Sequence, residues 1–199
     1  MKVGIISLQG DVEEHREATY RAFDKLDVEG EVIEVKNVDE LGSVNGVIIP
    51  GGESTSIGRL VSRSLFSALK ERIGKGLPVL ATCAGLIVLA KKVYDRRVGE
   101  TKQPLLGVLD VLVERNAFGR QRESFETYIK VPLIGEKPFK AVFIRAPLIR
   151  KVWGDVKSIA SIKEGIVAVK QNNVLATCFH PELAGDTRFH ELLIKTIKV

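Results

Sequence analysis

The chain has 199 residues, of which 45% are hydrophobic and 28% are charged, a composition typical of a globular protein rather than a disordered one. Its net charge of +5 comes from dispersed basic pairs, and no apolar run approaches the roughly 18 residues that a membrane span needs. We therefore expect one cytoplasmic domain over residues 1–199 that binds neither nucleic acid nor membrane. The two cysteines show no zinc-binding spacing, so we expect no metal.

The first half of the chain alternates short apolar strands with helices. Asp11 is predicted to cap a first helix that runs to about Asp24. Strands are predicted over residues 2–8, 31–35, 46–50 and 78–83, with a further helix over 64–74. This alternation predicts an α/β fold in which helices flank both faces of a doubly wound, mostly parallel sheet.

The second half changes character at about residue 105, where short β runs separated by glycine and proline turns dominate. These runs cover residues 108–113, 127–131, 141–144, 158–162, 166–170 and 174–178. We expect them to add antiparallel strands to the same sheet, before a closing helix within 185–199. His15 and His190 fall in predicted helices among charged neighbours, which indicates surface positions.

Cys83 ends an apolar strand and is followed by Ala84, Gly85 and a new apolar helix. This order is typical of a nucleophile elbow, where a reactive side chain stands on a tight strand-to-helix turn. The sulfur would face the N-terminus of the helix, whose dipole favours the thiolate. Cys178 lies inside a β run and is predicted to be an ordinary core residue.

His180 and Glu182 supply an imidazole and a carboxylate two residues apart, with Pro181 ending the strand between them. Because chemistry in an open parallel sheet collects at the carboxyl ends of the strands, we expect His180 to meet Cys83 there. Glu182 can then orient the imidazole, as the acid of a catalytic triad does.

The run Gly51-Gly52-Glu53-Ser54-Thr55 follows the third strand and has two interpretations. It is either a plain glycine turn with Ser54 as a helix cap, or one side of an oxyanion hole. In the second case a glycine amide and the amide of Ala84 would both donate to the reacting carbonyl oxygen. The spacing of a phosphate-binding loop is missing.

Six ordered motifs resemble a known family. Three of them, at residues 50–55, 82–86 and 179–183, are similar to motifs of the class I (triad) glutamine amidotransferases. Three more, at 7–10, 114–121 and 143–147, resemble those of the glutaminase subunits of pyridoxal 5′-phosphate synthase. The resemblance extends over essentially the whole chain.

The resemblance implies hydrolysis of L-glutamine to L-glutamate and ammonia through a γ-glutamyl thioester. It implies that Cys83 is the nucleophile, His180 the general base and acid, and Glu182 the orienting acid. L-Glutamine would be bound by Gly52, Glu53, Ser54, Arg115, Ile144 and Arg145, and the oxyanion hole would consist of Gly52, Ala84 and Gln9.

The implied partner is a synthase subunit in a hetero-oligomeric complex, which uses the ammonia to make pyridoxal 5′-phosphate (vitamin B6). No cofactor is implied for this chain, because pyridoxal phosphate is the product of the pathway. Three alternatives stay open: a glutaminase that serves another synthase, such as that for imidazole glycerol phosphate, a catalytically silent subunit on the same fold, and a cysteine peptidase.

Overall fold

A computed structural model of the chain describes residues 1–7, 11–52, 62–95, 99–100, 103–118 and 124–197. The helices in these ranges are α1 (Val12–Lys25), α2 (Val38–Ser43), α3 (Arg63–Gly74), α4 (Ala84–Leu89) and α5 (Arg188–Ile197). The strands are β1 (Lys2–Ile6), β2 (Glu31–Val35), β3 (Gly46–Ile49), β4 (Val79–Thr82), β5 (Ala90–Asp95), β6 (Gly99–Glu100), β7 (Leu109–Arg115), β8 (Ser124–Ile129), β9 (Phe139–Ile144), β10 (Leu148–Val152), β11 (Lys157–Ile162), β12 (Gly165–Gln171) and β13 (Val174–Thr177).

Most strands form one large sheet, in the order β2-β1-β3-β4-β13-β12-β10-β7-β5-β6, with β11 paired to β12. The neighbours from β2 to β13 run parallel, whereas β12 and β10 add antiparallel pairs. This arrangement confirms the predicted α/β fold, with a parallel half that continues into an extension of mostly antiparallel pairs, in which β5 and β7 run parallel. The expectation of one domain over residues 1–199 stays a prediction.

The strands at the centre of the sheet are apolar along most of their length. Every residue of β3, β4 and β13 is buried. Such continuous burial is expected of parallel strands that are covered by helices on both faces. Because β3, β4 and β13 are parallel neighbours, their carboxyl ends lie together at one edge of the sheet.

The strands β8 and β9 do not join the large sheet, which corrects the expectation of one continuous sheet. Among the described strands they pair only with each other, as a two-stranded antiparallel ribbon. The buried face of the ribbon carries Phe139 and Phe143, which contact Phe179 at ring-centroid distances of 5.9 and 5.6 Å. The ribbon is therefore anchored by aromatic packing next to the end of β13, rather than by strand pairing.

The prediction that His15 and His190 lie on the surface is wrong, because both are fully buried where α1 packs against α5. His15 lies on the buried face of α1. His190 occupies the buried face of α5. None of the helices in the described ranges is both long and apolar enough to cross a membrane.

Candidate active site

A cavity of about 340 Å³ lies where the carboxyl ends of β3, β4 and β13 meet. Two sides can be distinguished. The strand-end side is formed mainly by residues that follow these strands, and the arginine side by residues at and just after the ends of β7 and β9. The lining residues are Asp11, Gly52, Cys83, Ala84, Ile87, Arg115, Asn116, Ile144, Arg145, Pro147 and His180.

Cys83 forms the tight turn between β4 and α4. Its backbone has φ 48° and ψ −102°, a strained conformation for a residue with a side chain. A hydrogen bond from its amide to the Thr177 carbonyl, 2.9 Å long, ties the turn to β13. Gly85 is required because a Cβ there would lie 2.1 Å from the carbonyl oxygen of Ile49. The predicted elbow geometry is therefore present, with the sulfur at the N-terminus of α4.

His180 is held against Cys83 by backbone and side-chain contacts. Its amide donates to the Val142 carbonyl at 2.9 Å, which joins the end of β13 to the ribbon. Its Nδ1 lies 2.7 Å from Oε1 of Glu182. Gly51 leaves room for the ring, since a Cβ there would lie 2.6 Å from Cε1 of His180.

The imidazole of His180 is strongly stabilised in its charged form. Burial acts to lower its pKa, but hydrogen bonds with Asp11, Cys83 and Glu182 outweigh it and raise the pKa to about 12. At neutral pH the ring therefore carries a proton. The protonated imidazole is the form that can give a proton to a departing amine.

Asp11 is a second carboxylate at the same nitrogen, and sequence reasoning missed this role. Its side chain makes no capping hydrogen bond to α1, contrary to the prediction, and its Oδ2 lies 3.0 Å from Nδ1 of His180. The hydrogen bond to His180 lowers the pKa of Asp11, whereas burial raises the pKa of Glu182. Its position between β1 and α1 is compatible with this placement, but it suits a helix cap equally well.

Asp11, His180 and Glu182 are also the described residues whose ligand atoms cluster most like a metal site, within 4.8 Å of one another. Both carboxylates face the single proton of Nδ1, so the ring's hydrogen bonds already use the space between them. The expectation of no metal stays a prediction.

The arginine side is more open. Arg115 ends β7, and Arg145 follows β9 with φ 43°. The two turns are joined by a hydrogen bond from the Ala117 amide to the Ala146 carbonyl. Within the described ranges neither guanidinium makes an ion pair or hydrogen bond, so both can receive an anion. The carbonyl of Ile144 lies 4.0 Å from the sulfur of Cys83.

The structure brings most of the predicted site residues together. Gly52, Cys83, Ala84, Arg115, Ile144, Arg145 and His180 line one cavity, and Glu182 lies directly behind His180. Gln9, Glu53 and Ser54 fall outside the described residues. Ile87, Asn116 and Pro147 also line the cavity and were not predicted. Cys178 is buried as predicted, and burial raises the pKa of its thiol.

Comparison with known proteins gives one consistent answer. The SNO glutamine amidotransferase family matches residues 5–199. The chain is 51% identical to the pyridoxal 5′-phosphate synthase subunit PdxT of Saccharolobus solfataricus and 49% identical to that of Sulfolobus acidocaldarius, each over 100% of both chains.

Solved structures agree with the sequence matches. A crystal structure of a glutamine amidotransferase superimposes with a TM-score of 0.86 at 42% identity and covers 99% of both chains. A putative GMP synthase subunit from Thermoplasma acidophilum superimposes with a TM-score of 0.64 at 17% identity, covering 100% of this chain and 92% of the other. The second match supports the fold alone.

Proposed function

The chain belongs to the SNO glutamine amidotransferase family, and on this premise we propose that it hydrolyses L-glutamine to L-glutamate and ammonia and delivers the ammonia to a pyridoxal 5′-phosphate synthase subunit. The observation that carries the proposal is that Cys83 and His180 line one cavity at the carboxyl edge of the parallel strands, with Nδ1 of His180 2.7 Å from Oε1 of Glu182. The names of the two archaeal relatives support the choice of partner.

In the proposed reaction, the thiolate of Cys83 attacks the side-chain amide carbon of glutamine. His180, which carries the proton, gives it to the departing ammonia, and Glu182 stabilises the imidazolium and keeps its ring in place. Water then attacks the γ-glutamyl thioester with His180 as the base, and glutamate leaves. Because His180 takes back a proton in this second step, the site returns to its starting state.

The tetrahedral oxyanion would be stabilised by backbone amides. Ala84 begins α4, so its N–H is one of those at the helix start that have no partner within the helix. Gly52 has φ 116°, a conformation that suits glycine and can turn its amide towards the cavity. Gln9 is the third proposed contributor. Each such donor is worth about 3 kcal/mol in the barrier.

The proposed glutamine site uses both sides of the cavity. Arg115 and Arg145 would bind the α-carboxylate, because a guanidinium can hold a carboxylate in bidentate fashion. Gly52, Glu53, Ser54 and the backbone of Ile144 would contact the remaining polar atoms. A small zwitterion fits a cavity of about 340 Å³ lined by two arginines better than a peptide chain does.

Ammonia is useful to a synthase only if it is transferred before it takes up a proton from water. A complex with the synthase subunit is therefore part of the proposal, while the cytoplasmic location stays a prediction. The alternative of a silent subunit is disfavoured, because such a subunit has no need of a strained, hydrogen-bonded Cys83.

Replacement of Cys83 by alanine tests this proposal. The Cys83→Ala protein, mixed with the synthase subunit, should lose glutamate release by about 10⁶-fold, because the nucleophile is gone. The complex should still form pyridoxal phosphate from an ammonium salt. Cys178→Ala is the matched control and should keep its glutaminase activity, since Cys178 is a core residue. Glutamate release by Cys83→Ala at the rate of the unmodified protein would refute the mechanism. If the complex forms no pyridoxal phosphate from either glutamine or an ammonium salt, the proposed partner is wrong.

A further inference from the structure

Two buried histidines stand directly behind the proposed triad and have no role in the mechanism above. Nδ1 of His15 lies 3.0 Å from Nε2 of His190. Nε2 of His15 lies 3.3 Å from Oε2 of Glu182 and 3.1 Å from the hydroxyl of Thr82. Because Oε1 of Glu182 contacts His180, the row of polar groups continues from Cys83 to His190.

Both histidines are neutral at physiological pH. Burial lowers the pKa of His15 well below its usual value, and burial also lowers that of His190, to about 3. A neutral imidazole has one N–H and one bare nitrogen, so only two arrangements of the pair satisfy their mutual hydrogen bond.

In the first arrangement His190 donates from Nε2 to Nδ1 of His15, and His15 points its Nε2–H at Glu182 and Thr82. Nδ1 of His190 makes no hydrogen bond to the described residues. In this arrangement that nitrogen carries no proton and is an unused acceptor. An unused acceptor is tolerated more readily than an unused donor.

In the second arrangement every proton is reversed. Nδ1 of His190 would then be a buried N–H without an acceptor among the described residues, which is costly. A bare Nε2 of His15 could accept from the hydroxyl of Thr82, but it would also place a lone pair 3.3 Å from Oε2 of Glu182. That oxygen makes no hydrogen bond to the part of the chain that the structure describes, so its approach to the ring of His15 is a polar contact at 3.3 Å. The first arrangement is therefore favoured.

We propose that His15 is a positioning residue whose Nε2–H holds the second oxygen of Glu182, so that the first oxygen is aimed at Nδ1 of His180. His190 acts through His15 by fixing its tautomer. The inference rests on the proposed function, because it gives Glu182 the role of orienting His180.

The surroundings of Glu182 explain why such a donor is needed. Asp11 brings a second carboxylate within the same cluster, and its charge makes ionisation of Glu182 harder. Burial acts in the same direction. Of the groups that face Glu182, His180 stabilises its charge through Oε1, and the neutral ring of His15 lies 3.3 Å from Oε2. The charge of Arg21 disfavours protonation of His190.

The tautomer can be measured on the intact protein without any assay of activity. The chain contains three histidines, so the imidazole nitrogens of a protein labelled with ¹⁵N-histidine give a small, assignable NMR spectrum. Between pH 6 and 8 we expect His15 to be neutral with its proton on Nε2. A proton on Nδ1, or a charged His15 ring, would overturn the proposal whatever reaction the protein catalyses.

Variants of His15 test the consequence for the reaction in the complex with the synthase subunit. His15→Leu removes the donor and should lower kcat for glutamine by roughly 10- to 100-fold with little change in KM, because His180 loses its fixed geometry. The acid limb of kcat/KM should move to higher pH by about one to two units, the equivalent of one lost hydrogen bond to a charged group. His15→Gln keeps an N–H at a similar position. It should restore much of kcat and bring the acid limb of kcat/KM back towards its original pH.

Thr19→Val is the matched control, since Thr19 is buried on the same helix and bonds to the backbone of His15 without facing Glu182. It should lower the melting temperature but leave the acid limb unchanged. An unmoved acid limb in His15→Leu, or equal losses in His15→Leu and His15→Gln, would contradict the proposal. If His15→Leu does not fold, the tautomer of the unmodified protein decides alone.

Discussion

On the strand-end side of the cavity, Cys83, His180 and Glu182 are only 7%, 4% and 5% exposed, and each is held by hydrogen bonds. On the arginine side, Ile144 is 37% exposed, and within the described ranges the guanidiniums of Arg115 and Arg145 have no partner. Groups that carry out chemistry must be in position before the substrate arrives, whereas groups that recognise it can complete their hydrogen bonds on binding. We therefore expect substitutions on the strand-end side to affect mainly kcat and substitutions on the arginine side to affect mainly KM.

After Cys83→Ala, the largest effect is expected for Glu182→Gln on the strand-end side. An amide would replace one of the two carboxylates that face Nδ1 of His180, so the imidazolium would lose the charge of Glu182 and keep that of Asp11. We expect kcat for glutamine to fall by about 10³- to 10⁴-fold, with KM within about threefold of the unmodified value. Steady-state kinetics in the presence of the synthase subunit measure both. A change confined to KM would contradict the division between the two sides.

A smaller effect of the opposite kind is expected for Arg145→Gln on the arginine side. Loss of a charge-assisted hydrogen bond of about 1.5–3 kcal/mol should raise KM roughly 10- to 100-fold and leave kcat nearly unchanged. Lys140→Gln, which removes a surface ion pair with Glu126 on the same ribbon, is the control and should change neither constant. An equal fall in kcat and kcat/KM for Arg145→Gln would show that the arginine acts in the chemical step.

A third effect concerns stability at acidic pH and belongs to the strand-end side, behind which the buried histidines lie. The pKa of His190 is lowered from 6.5 to about 3, so the unfolded chain binds a proton that the folded chain does not. This contribution to the free energy of unfolding is complete above pH 6.5 and is lost as the pH falls towards 3.

The slope is at most about 1.4 kcal/mol per pH unit for this one group. His190→Gln should therefore flatten the dependence of the unfolding free energy on pH between about 6.5 and 4. Urea unfolding at three pH values across that window gives the comparison. If the unfolding free energy of both proteins changes equally with pH, His190 takes up its proton in the folded state as well.

Most of the strand-end side could be predicted from the sequence, because each residue follows closely on an apolar strand. Cys83 follows β4, and His180 comes three residues after β13 ends at Thr177. Parallel strands share their carboxyl edge, so the meeting of the two side chains followed from the order of the elements. The contact of Asp11 with His180 could not be predicted in this way, because its position also suits a helix cap.

The buried histidines show a different limit. The buried residues of α1 are His15, Ala18, Thr19, Ala22 and Phe23, which follow helical periodicity. The sequence prediction was misled by the charged residues on the opposite face and excluded the histidine from this stripe. The separation of the ribbon β8–β9 from the large sheet could not be predicted either. The alternation of apolar and polar residues along a strand does not show which strand it pairs with.

The most direct test of the account is covalent labelling of the nucleophile. A glutamine analogue with a chloroketone in place of the side-chain amide should add once to the unmodified protein, and peptide mass spectrometry should locate the adduct on Cys83. Added L-glutamine should protect the site, and Glu182→Gln should react much more slowly. An adduct on Cys178, or labelling of Cys83 that glutamine does not slow, would contradict the assignment of this cavity as a glutaminase site.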